Sequence, residues 1–126
     1  MTALGIEQGG RIGTLAWNGH RHFELYYGVS GIGAVCHTLN PRLSREQLLY
    51  IITHAGDRLL FIDLTFVSLI EAILPDLPPD LRFVILTDRA HMPDCAFDAL
   101  CYEDLLATQP PGFDWPTFPE DTAAGL

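Results

Sequence analysis

Four short apolar runs alternate along the chain with stretches in which apolar residues recur every three or four positions. The runs lie within Arg11–Trp17, Ala34–Leu39, Arg58–Asp63 and Arg82–Asp88. The last two are unbroken, which is typical of parallel strands buried on both faces. This alternation predicts an α/β fold: a mainly parallel β-sheet with helices on both faces, connected β-α-β-α-β-α-β. We predict the strand order 2-1-3-4.

The first helix is predicted to begin near His20, with Asn18 as its N-terminal cap. Helical spacing places one set of side chains on a single side of it: Phe23, Tyr26, Tyr27 and Ser30. Glycines at 28, 31 and 33 crowd its end, where glycine stops a helix and lets the chain reverse closely.

The second helix has the most specific local signal. Ser44, followed by Gln47 three residues later, forms the pattern of a capping box, and Gly56 is the predicted C-terminal stop. The apolar stripe between them is Leu48, Leu49, Ile51, Ile52 and Ala55. A third stripe, which Pro75 is predicted to end, consists of Phe66, Leu69, Ile70, Ile73 and Leu74.

Periodicity fades after Asp88. Residues 90–99 are predicted to form a loop and residues 101–107 a short helix. The segment 109–119 contains prolines at 110, 111, 116 and 119 and predicts an extended surface stretch, while residues 123–126 resemble the beginning of a strand. We therefore divide the chain into an α/β subdomain, residues 1–108, and a Pro-rich extended segment leading into a truncated strand, residues 109–126.

The charge balance excludes several functions. The chain of 126 residues has a net charge of −9, and its seven basic residues are all arginine. No basic patch for nucleic acid or anionic lipid can be assembled, and Walker-type or Schiff-base lysine chemistry is absent. Mean hydropathy is +0.20, which is high for a small domain. Either burial is unusually complete, or apolar surface meets the rest of a larger fold or a second copy.

The three cysteines, Cys36, Cys95 and Cys101, have neither a C-x-x-C spacing nor partner histidines at zinc spacing. Reduced thiols, no signal peptide and no long apolar run lead us to expect a cytoplasmic protein without a membrane span.

Polar residues follow each predicted strand: Asn18, Asn40, Asp63 and Asp88. Ligands of open α/β sheets bind outside the carboxyl ends of the strands. The same residues also fit ordinary local roles, Asn18 and Asp63 as helix caps and the other two in turns. Both interpretations stay open at this point.

Known nucleotide and phosphate motifs do not fit. The glycines at 28, 31 and 33 lie at a helix end, whereas the dinucleotide fingerprint needs a helix N-terminus. A phosphorelay receiver would have an acidic pair where Trp17 and Asn18 stand, and a later lysine. The stretch GHRH at 19–22 is not the Ser/Thr-rich loop of a flavin site. His20 and His22 are most simply a solvated helix end, and Cys36 a small core residue.

Several segments resemble one enzyme family. They read GTLAWNGHRH at 13–22, GIGAV at 31–35, HTLNPRLS at 37–44 and LFID at 60–63, with weaker agreement at FVILTD (83–88) and YEDLL (102–106). Together they resemble the N-terminal region of the AMP-forming acyl-CoA synthetases, especially the medium- and long-chain fatty-acid-CoA ligases. The run from Asn40 to Leu43 is the most specific part.

The resemblance implies a parent enzyme that uses ATP, magnesium and coenzyme A to form an acyl-adenylate and then a thioester. The family's phosphate loop, magnesium-binding pair and catalytic lysine have no counterpart here, and the start also looks cut. We therefore expect a fragment that is inactive alone, with no catalytic residue and no metal ligand, and with the rest of the ligase fold as its partner. His37 and Asn40 are the family-signature polar positions nominated for substrate binding. The alternative is a stand-alone α/β binding or assembly module without catalysis.

Overall fold

A computed structural model describes residues 1–126. Its centre is one parallel β-sheet with the strands β1 (Arg11–Leu15), β2 (Val35–Thr38), β3 (Leu59–Ile62), β4 (Arg82–Ile85) and β5 (Ala99–Cys101). The order across the sheet is β2-β1-β3-β4-β5, and all four pairings are parallel. The α/β class and the order 2-1-3-4 are confirmed. The short strand β5 was not predicted, because it has only three residues, of which Cys101 alone is buried.

The helices are α1 (His20–Gly31), α2 (Arg45–Ala55), α3 (Val67–Glu71) and α4 (Tyr102–Ala107). Short 3-10 turns occur at Thr2–Leu4, Leu64–Phe66, Leu74–Asp76 and Arg89–His91. None of the helices combines the length and apolar character needed to cross a lipid bilayer.

Each face of the sheet carries its own apolar core. Successive strand residues point to opposite faces, so Leu60 and Ile62 pack with Leu48, Ile52 and Ile70 on the α2 and α3 side. The other face buries Ile12, Leu25, Val29, Leu59, Phe61 and Val84 beneath α1. Full burial of each such side chain stabilises the fold by about 1.5–3 kcal/mol. The predicted double-faced burial of β3 and β4 is observed.

Helix α1 differs from the prediction in two respects. Its cap residue is Gly19, and no side chain accepts a hydrogen bond there, so the assignment of Asn18 as the cap is wrong. The aromatic side is largely exposed, with Phe23 at 62% and Tyr27 at 65%, while the buried residues are His22, Leu25 and Val29. The buried side of α1 was not recognised in the sequence because it contains a polar histidine. A hydrogen bond inside the fold offsets the cost of burying that side chain.

Helix α2 begins and ends as predicted. Ser44 Oγ accepts from the backbone N–H of Gln47 at 3.2 Å, and Gln47 Oε1 accepts from the N–H of Ser44 at 3.0 Å. Gly56 is the left-handed C-cap with φ 69°. The third helical segment is shorter than predicted, since α3 ends at Glu71 and Pro75 lies inside a 3-10 turn rather than stopping the helix.

Residues 109–126 contain no helix or regular strand, and return to the β2 edge of the sheet. The rings of Trp115 and Phe118 lie against Gly31 and Gly33. The N–H of Cys36 donates to the carbonyl of Ala124 at 3.0 Å, and Leu126 donates to the carbonyl of Cys36 at 3.0 Å. The predicted final strand is thus present as a single parallel bridge. The domain division at residue 108 stays a prediction.

Candidate functional site

The polar residues at the strand ends mostly hold their own local turns. Asn40 Oδ1 accepts from the backbone N–H of Arg42 at 3.0 Å, and Asp63 Oδ1 accepts from the N–H of Thr65 at 3.0 Å. Asp88 Oδ1 accepts from the N–H of His91 at 3.0 Å. The cap assigned to Asp63 and the turn assigned to Asn40 are therefore confirmed. The structure does not bring these side chains together into one cluster that could bind a common ligand.

Asp88 makes a second contact with its own turn, because His91 Nδ1 lies 2.7 Å from the same carboxylate oxygen. This hydrogen bond lowers the pKa of the half-exposed Asp88 carboxyl. Solvent screens such an exposed pair, so we assign it a local role.

A buried histidine–aspartate pair lies beneath β1, next to the edge strand β2 of the sheet. His37 Nδ1 is 2.8 Å from Asp57 Oδ2, and the Asp57 side chain is wholly buried. His37 stands in β2 opposite Gly13, while Asp57 lies between the Gly56 cap and β3. A Cβ at position 13 would lie 3.0 Å from Asp57 Oδ2 and 2.7 Å from Leu60 Cδ1, so glycine makes the room for the pair.

Burial raises the pKa of Asp57, while the hydrogen bond and charge of His37 and the charge of Arg11 act in the opposite direction. Asp57 Oδ1 has no hydrogen-bond partner. A buried carboxylate with an open lone pair is the costly element of this pair, and His37 is what makes it tolerable.

The other buried polar pair lies on the opposite face. His22 Nε2 is 3.0 Å from Thr14 Oγ1, and His22 Nδ1 has no hydrogen-bond partner. Burial lowers the pKa of His22, and the backbone carbonyl of Trp17 partly offsets this. His22 also lines two small adjoining cavities at the start of α1, of about 60 Å³ and 190 Å³.

A larger apolar cavity of about 310 Å³ lies between α1, α4 and the first residues of the chain. At its wall Tyr102 donates its hydroxyl to Glu24 Oε2 at 2.7 Å. Burial raises the pKa of Tyr102 well above its usual range, and the Glu24 carboxylate makes the next largest contribution in the same direction. Beside it Arg21 Nε donates to Glu103 at 2.6 Å, which ties α1 to α4.

The two nominated substrate-binding residues occupy different environments. His37 is buried and paired, whereas Asn40 is exposed beyond the end of β2. Neither lines the three cavities described above. Cys36 is buried between Thr14 and the last residues of the chain, and burial raises the pKa of its thiol.

Sequence reasoning missed Asp57, Glu24 and Tyr102. Only Asp57 had a usable sequence signal. It directly follows the glycine that ends α2 and lies close to an unbroken apolar strand, where burial is expected. The Tyr102–Glu24 contact joins residues 78 positions apart and has no local signature.

Comparison with known proteins places the chain in a family. The family model described as AMP-binding enzyme matches residues 1–120. The 3-methylmercaptopropionyl-CoA ligase of Ruegeria lacuscaerulensis is 47% identical over 131 aligned positions, covering 100% of this chain and 24% of that protein. The medium-chain-fatty-acid–CoA ligase of Ectopseudomonas oleovorans is 40% identical, covering 98% of this chain and 23% of its own length.

The structural comparison agrees. The anthranilate CoA ligase AuaEII, solved with anthranoyl-AMP, superimposes with a TM-score of 0.87 at 22% identity, over 98% of this chain and 23% of that one. At this identity the likeness shows the fold. The family match shows that the chain belongs to the AMP-binding enzyme family. The sequence relatives named above are CoA ligases, which agrees with the resemblance of the chain's motifs. It spans about a quarter of the length of these relatives.

Proposed function

We propose that this chain is part of an ATP-dependent fatty-acyl-CoA ligase, which forms an acyl-adenylate and then transfers the acyl group to coenzyme A. The observation that carries the proposal is 47% identity to a CoA ligase across the whole chain. ATP, magnesium and coenzyme A would be the cosubstrates and cofactor of the whole protein, and a carboxylic acid its substrate.

Within such a protein the chain would supply scaffold rather than reacting groups. Adenylation needs positive charge around the transferring phosphates, and this chain contains no lysine. Its His, Cys, Asp and Glu side chains form no group of three placed to hold a metal ion, and we propose that the magnesium-binding residues lie in the rest of the protein. We assign no catalytic residue to the chain, and we propose that it is inactive alone.

His37 and Asn40 are proposed to lie toward the ligand side of the whole protein. Asn40 is exposed immediately beyond β2, at the edge of an α/β sheet where ligands bind. Because His37 Nδ1 is hydrogen-bonded to Asp57, Nε2 is the ring nitrogen available to a ligand. In the complete enzyme Asn40→Ala should raise KM for a substrate more than it lowers kcat.

A chimeric ligase tests the proposal. Residues 1–126 would replace the matching segment of the Ruegeria pomeroyi 3-methylmercaptopropionyl-CoA ligase, which is 47% identical. Thioester formation is then measured with ATP, magnesium, coenzyme A and the acid. We expect turnover, because the segment would rebuild the same scaffold. A folded chimera that forms no acyl-adenylate contradicts the proposal. Gly13→Leu is the negative control, since its side chain would collide with Leu60 and Asp57.

The coding DNA gives an independent test. The proposal expects the reading frame to continue beyond the codon for Leu126 into a Ser/Thr/Gly-rich loop ending Pro-Lys-Gly. The complete protein can then be assayed with 3-methylmercaptopropionate and with medium- and long-chain fatty acids. A stop codon directly after Leu126 would instead favour a function without catalysis.

Two surface features favour that second function, a stand-alone α/β binding or assembly module. The apolar cavity beside Tyr102 and the exposed rings of Phe23 and Tyr27 are surfaces that a ligand or a second copy could cover. Stabilisation by a fatty acid without ATP in a thermal-shift assay supports binding. Dimers in sedimentation support assembly. A monomer that no fatty acid stabilises contradicts both.

A further inference from the structure

The turn between β1 and α1 contains the one Asn-Gly sequence of the chain, at residues 18 and 19. Both residues are exposed. The carboxamide of an asparagine can be attacked by the backbone nitrogen of the next residue, and glycine has no side chain that would hinder this approach. Asparagine is among the thermolabile residues of proteins. This turn therefore carries the local chemistry for a covalent change.

The fold does not hold the Asn18 side chain in place. Gly19 is the cap residue of α1, and the carboxamide of Asn18 takes part in no hydrogen bond. Asn18 and Gly19 both line the cavity of about 190 Å³ at the start of α1. A Cβ at Gly19 would meet nothing within 4 Å. The carboxamide thus has room to turn toward the Gly19 nitrogen, and water can reach it.

One contact in the turn opposes the attack. The N–H of Gly19 donates to the carbonyl of Trp17 at 2.8 Å. This hydrogen bond must open before the nitrogen can lose its proton and reach the carboxamide. Since it lies in an exposed turn, it belongs to the contacts that open at low cost in free energy. We therefore expect the folded chain to react, but more slowly than a free peptide of the same sequence.

Asn40, the other asparagine of the chain, provides an internal comparison. It is exposed like Asn18, so exposure alone does not distinguish the two residues. It is followed by Pro41, whose backbone nitrogen carries no proton to lose. Its Oδ1 also accepts from the N–H of Arg42 at 3.0 Å. Asn40 should therefore be unreactive.

We propose that Asn18 is a site of spontaneous deamidation. The Gly19 nitrogen loses its proton to hydroxide and bonds to Asn18 Cγ, while the bond from Cγ to the side-chain nitrogen breaks and ammonia leaves. Water then adds to either carbonyl of the succinimide ring and opens it, which gives aspartate or isoaspartate at position 18. The net reaction consumes one water and releases one ammonia. It adds a negative charge beside the start of α1, where the helix dipole favours an anion.

Incubation of the 126-residue chain in heavy-oxygen water at mildly alkaline pH tests the proposal. Heavy oxygen enters position 18 only when the ring opens during the incubation. Trypsin, which cleaves after arginine, places Asn18 in the fragment 12–21 and Asn40 in the fragment 22–42. We expect the mass of the first fragment to rise with time and that of the second to stay unchanged. A first fragment that stays unchanged, under conditions that convert a synthetic peptide of residues 12–21, overturns the proposal.

Gly19→Ala is the decisive variant. The added methyl meets nothing within 4 Å, and the φ of −111° at this position is one that alanine adopts. The methyl hinders attack by the adjacent nitrogen, so deamidation of Asn18 should slow at least about tenfold, a barrier about 1.4 kcal/mol higher. Gly112→Ala, which also adds a methyl into open space, is the matched control and should react like the parent chain. Circular dichroism checks that the variants are folded. Equal rates in Gly19→Ala and the parent overturn the proposal.

Discussion

His37 Nδ1 and Asp57 Oδ2 lie 2.8 Å apart in the interior, and this hydrogen bond links the edge strand β2 to the residues that lead into β3. The link passes beneath Gly13 of the strand between them. Two charged or polar side chains are thus buried together on the face that packs against α2. Each of them is acceptable there only because the other is present.

Removal of His37 alone should be more harmful than removal of both partners. His37→Leu leaves the Asp57 carboxylate buried and unpaired, which we expect to lower the free energy of unfolding by about 3 kcal/mol or more. The double variant His37→Leu/Asp57→Leu should recover part of that loss, because no charge remains to be desolvated. The coupling is measured by urea unfolding of the parent chain, the single variants His37→Leu and Asp57→Leu, and the double variant. Additive losses from the two substitutions would show that the pair is not coupled.

His22 should make the fold sensitive to mild acid. Its folded-state pKa lies below the ordinary 6.5 because burial disfavours the imidazolium. The unfolded chain therefore binds more protons, so this contribution to stability is complete above about pH 6.5 and falls as the pH drops below it. His22→Gln should flatten stability between about pH 6.5 and 5. His20→Gln, which changes an exposed histidine two residues away, is the control. An equal slope in parent and His22→Gln would contradict the assignment.

The framework of the fold could be predicted from the sequence because its signals are local. The unbroken apolar stretch at 59–62, the Ser44–Gln47 capping box and the stop at Gly56 each act within a few residues, and the structure places all of them as expected. The predicted strand order 2-1-3-4 also agrees with the structure, although no local signal in the sequence determines it. The partly buried β5 had no such signal.

The candidate site could not be predicted in the same way, because its contacts are long-range. The partners His37 and Asp57 stand 20 positions apart. The cap assigned to Asn18 failed because Gly19 takes that position and leaves the helix start open. Burial of His22 depends on Thr14 in the facing strand, which no helical periodicity can indicate. The interpretation of His37 and Asn40 as substrate-binding stays a prediction.

Tyr102 should make the fold sensitive to alkali. Burial and the Glu24 carboxylate raise its pKa above the ordinary 10.0, so the folded state holds the phenol proton more tightly than the unfolded chain. The stability that depends on this proton is complete below about pH 10 and declines as the pH rises beyond it. Tyr102→Phe should flatten this decline and cost about 1 kcal/mol at neutral pH, where the hydrogen bond to Glu24 is lost. Tyr50→Phe, at an exposed position, is the control. Thermal unfolding between pH 8 and 11, roughly the range spanning the phenol's titration, measures both; a Tyr102→Phe curve parallel to the parent's would refute the prediction.

Substitution by alanine should release the C-terminal segment at one glycine of α1 and leave it in place at another. A Cβ at Gly31 would lie 2.3 Å from Trp115 Cζ3, so the ring must leave and segment 109–126 loses an anchor against the helix. At Gly28 the nearest atom is the flexible end of Met1 at 3.3 Å, and alanine in a helix interior is favoured over glycine by up to about 1 kcal/mol. Chymotrypsin cleavage after Phe113, the one aromatic residue of this segment that is not followed by proline, reports by mass spectrometry how firmly the segment is held. We expect Gly31→Ala to be cleaved several-fold faster than the parent chain and Gly28→Ala at the parent rate. Equal cleavage of the two variants would mean that Trp115 does not anchor the segment, and that Phe118 and the bridge between Cys36 and Gly125 hold it.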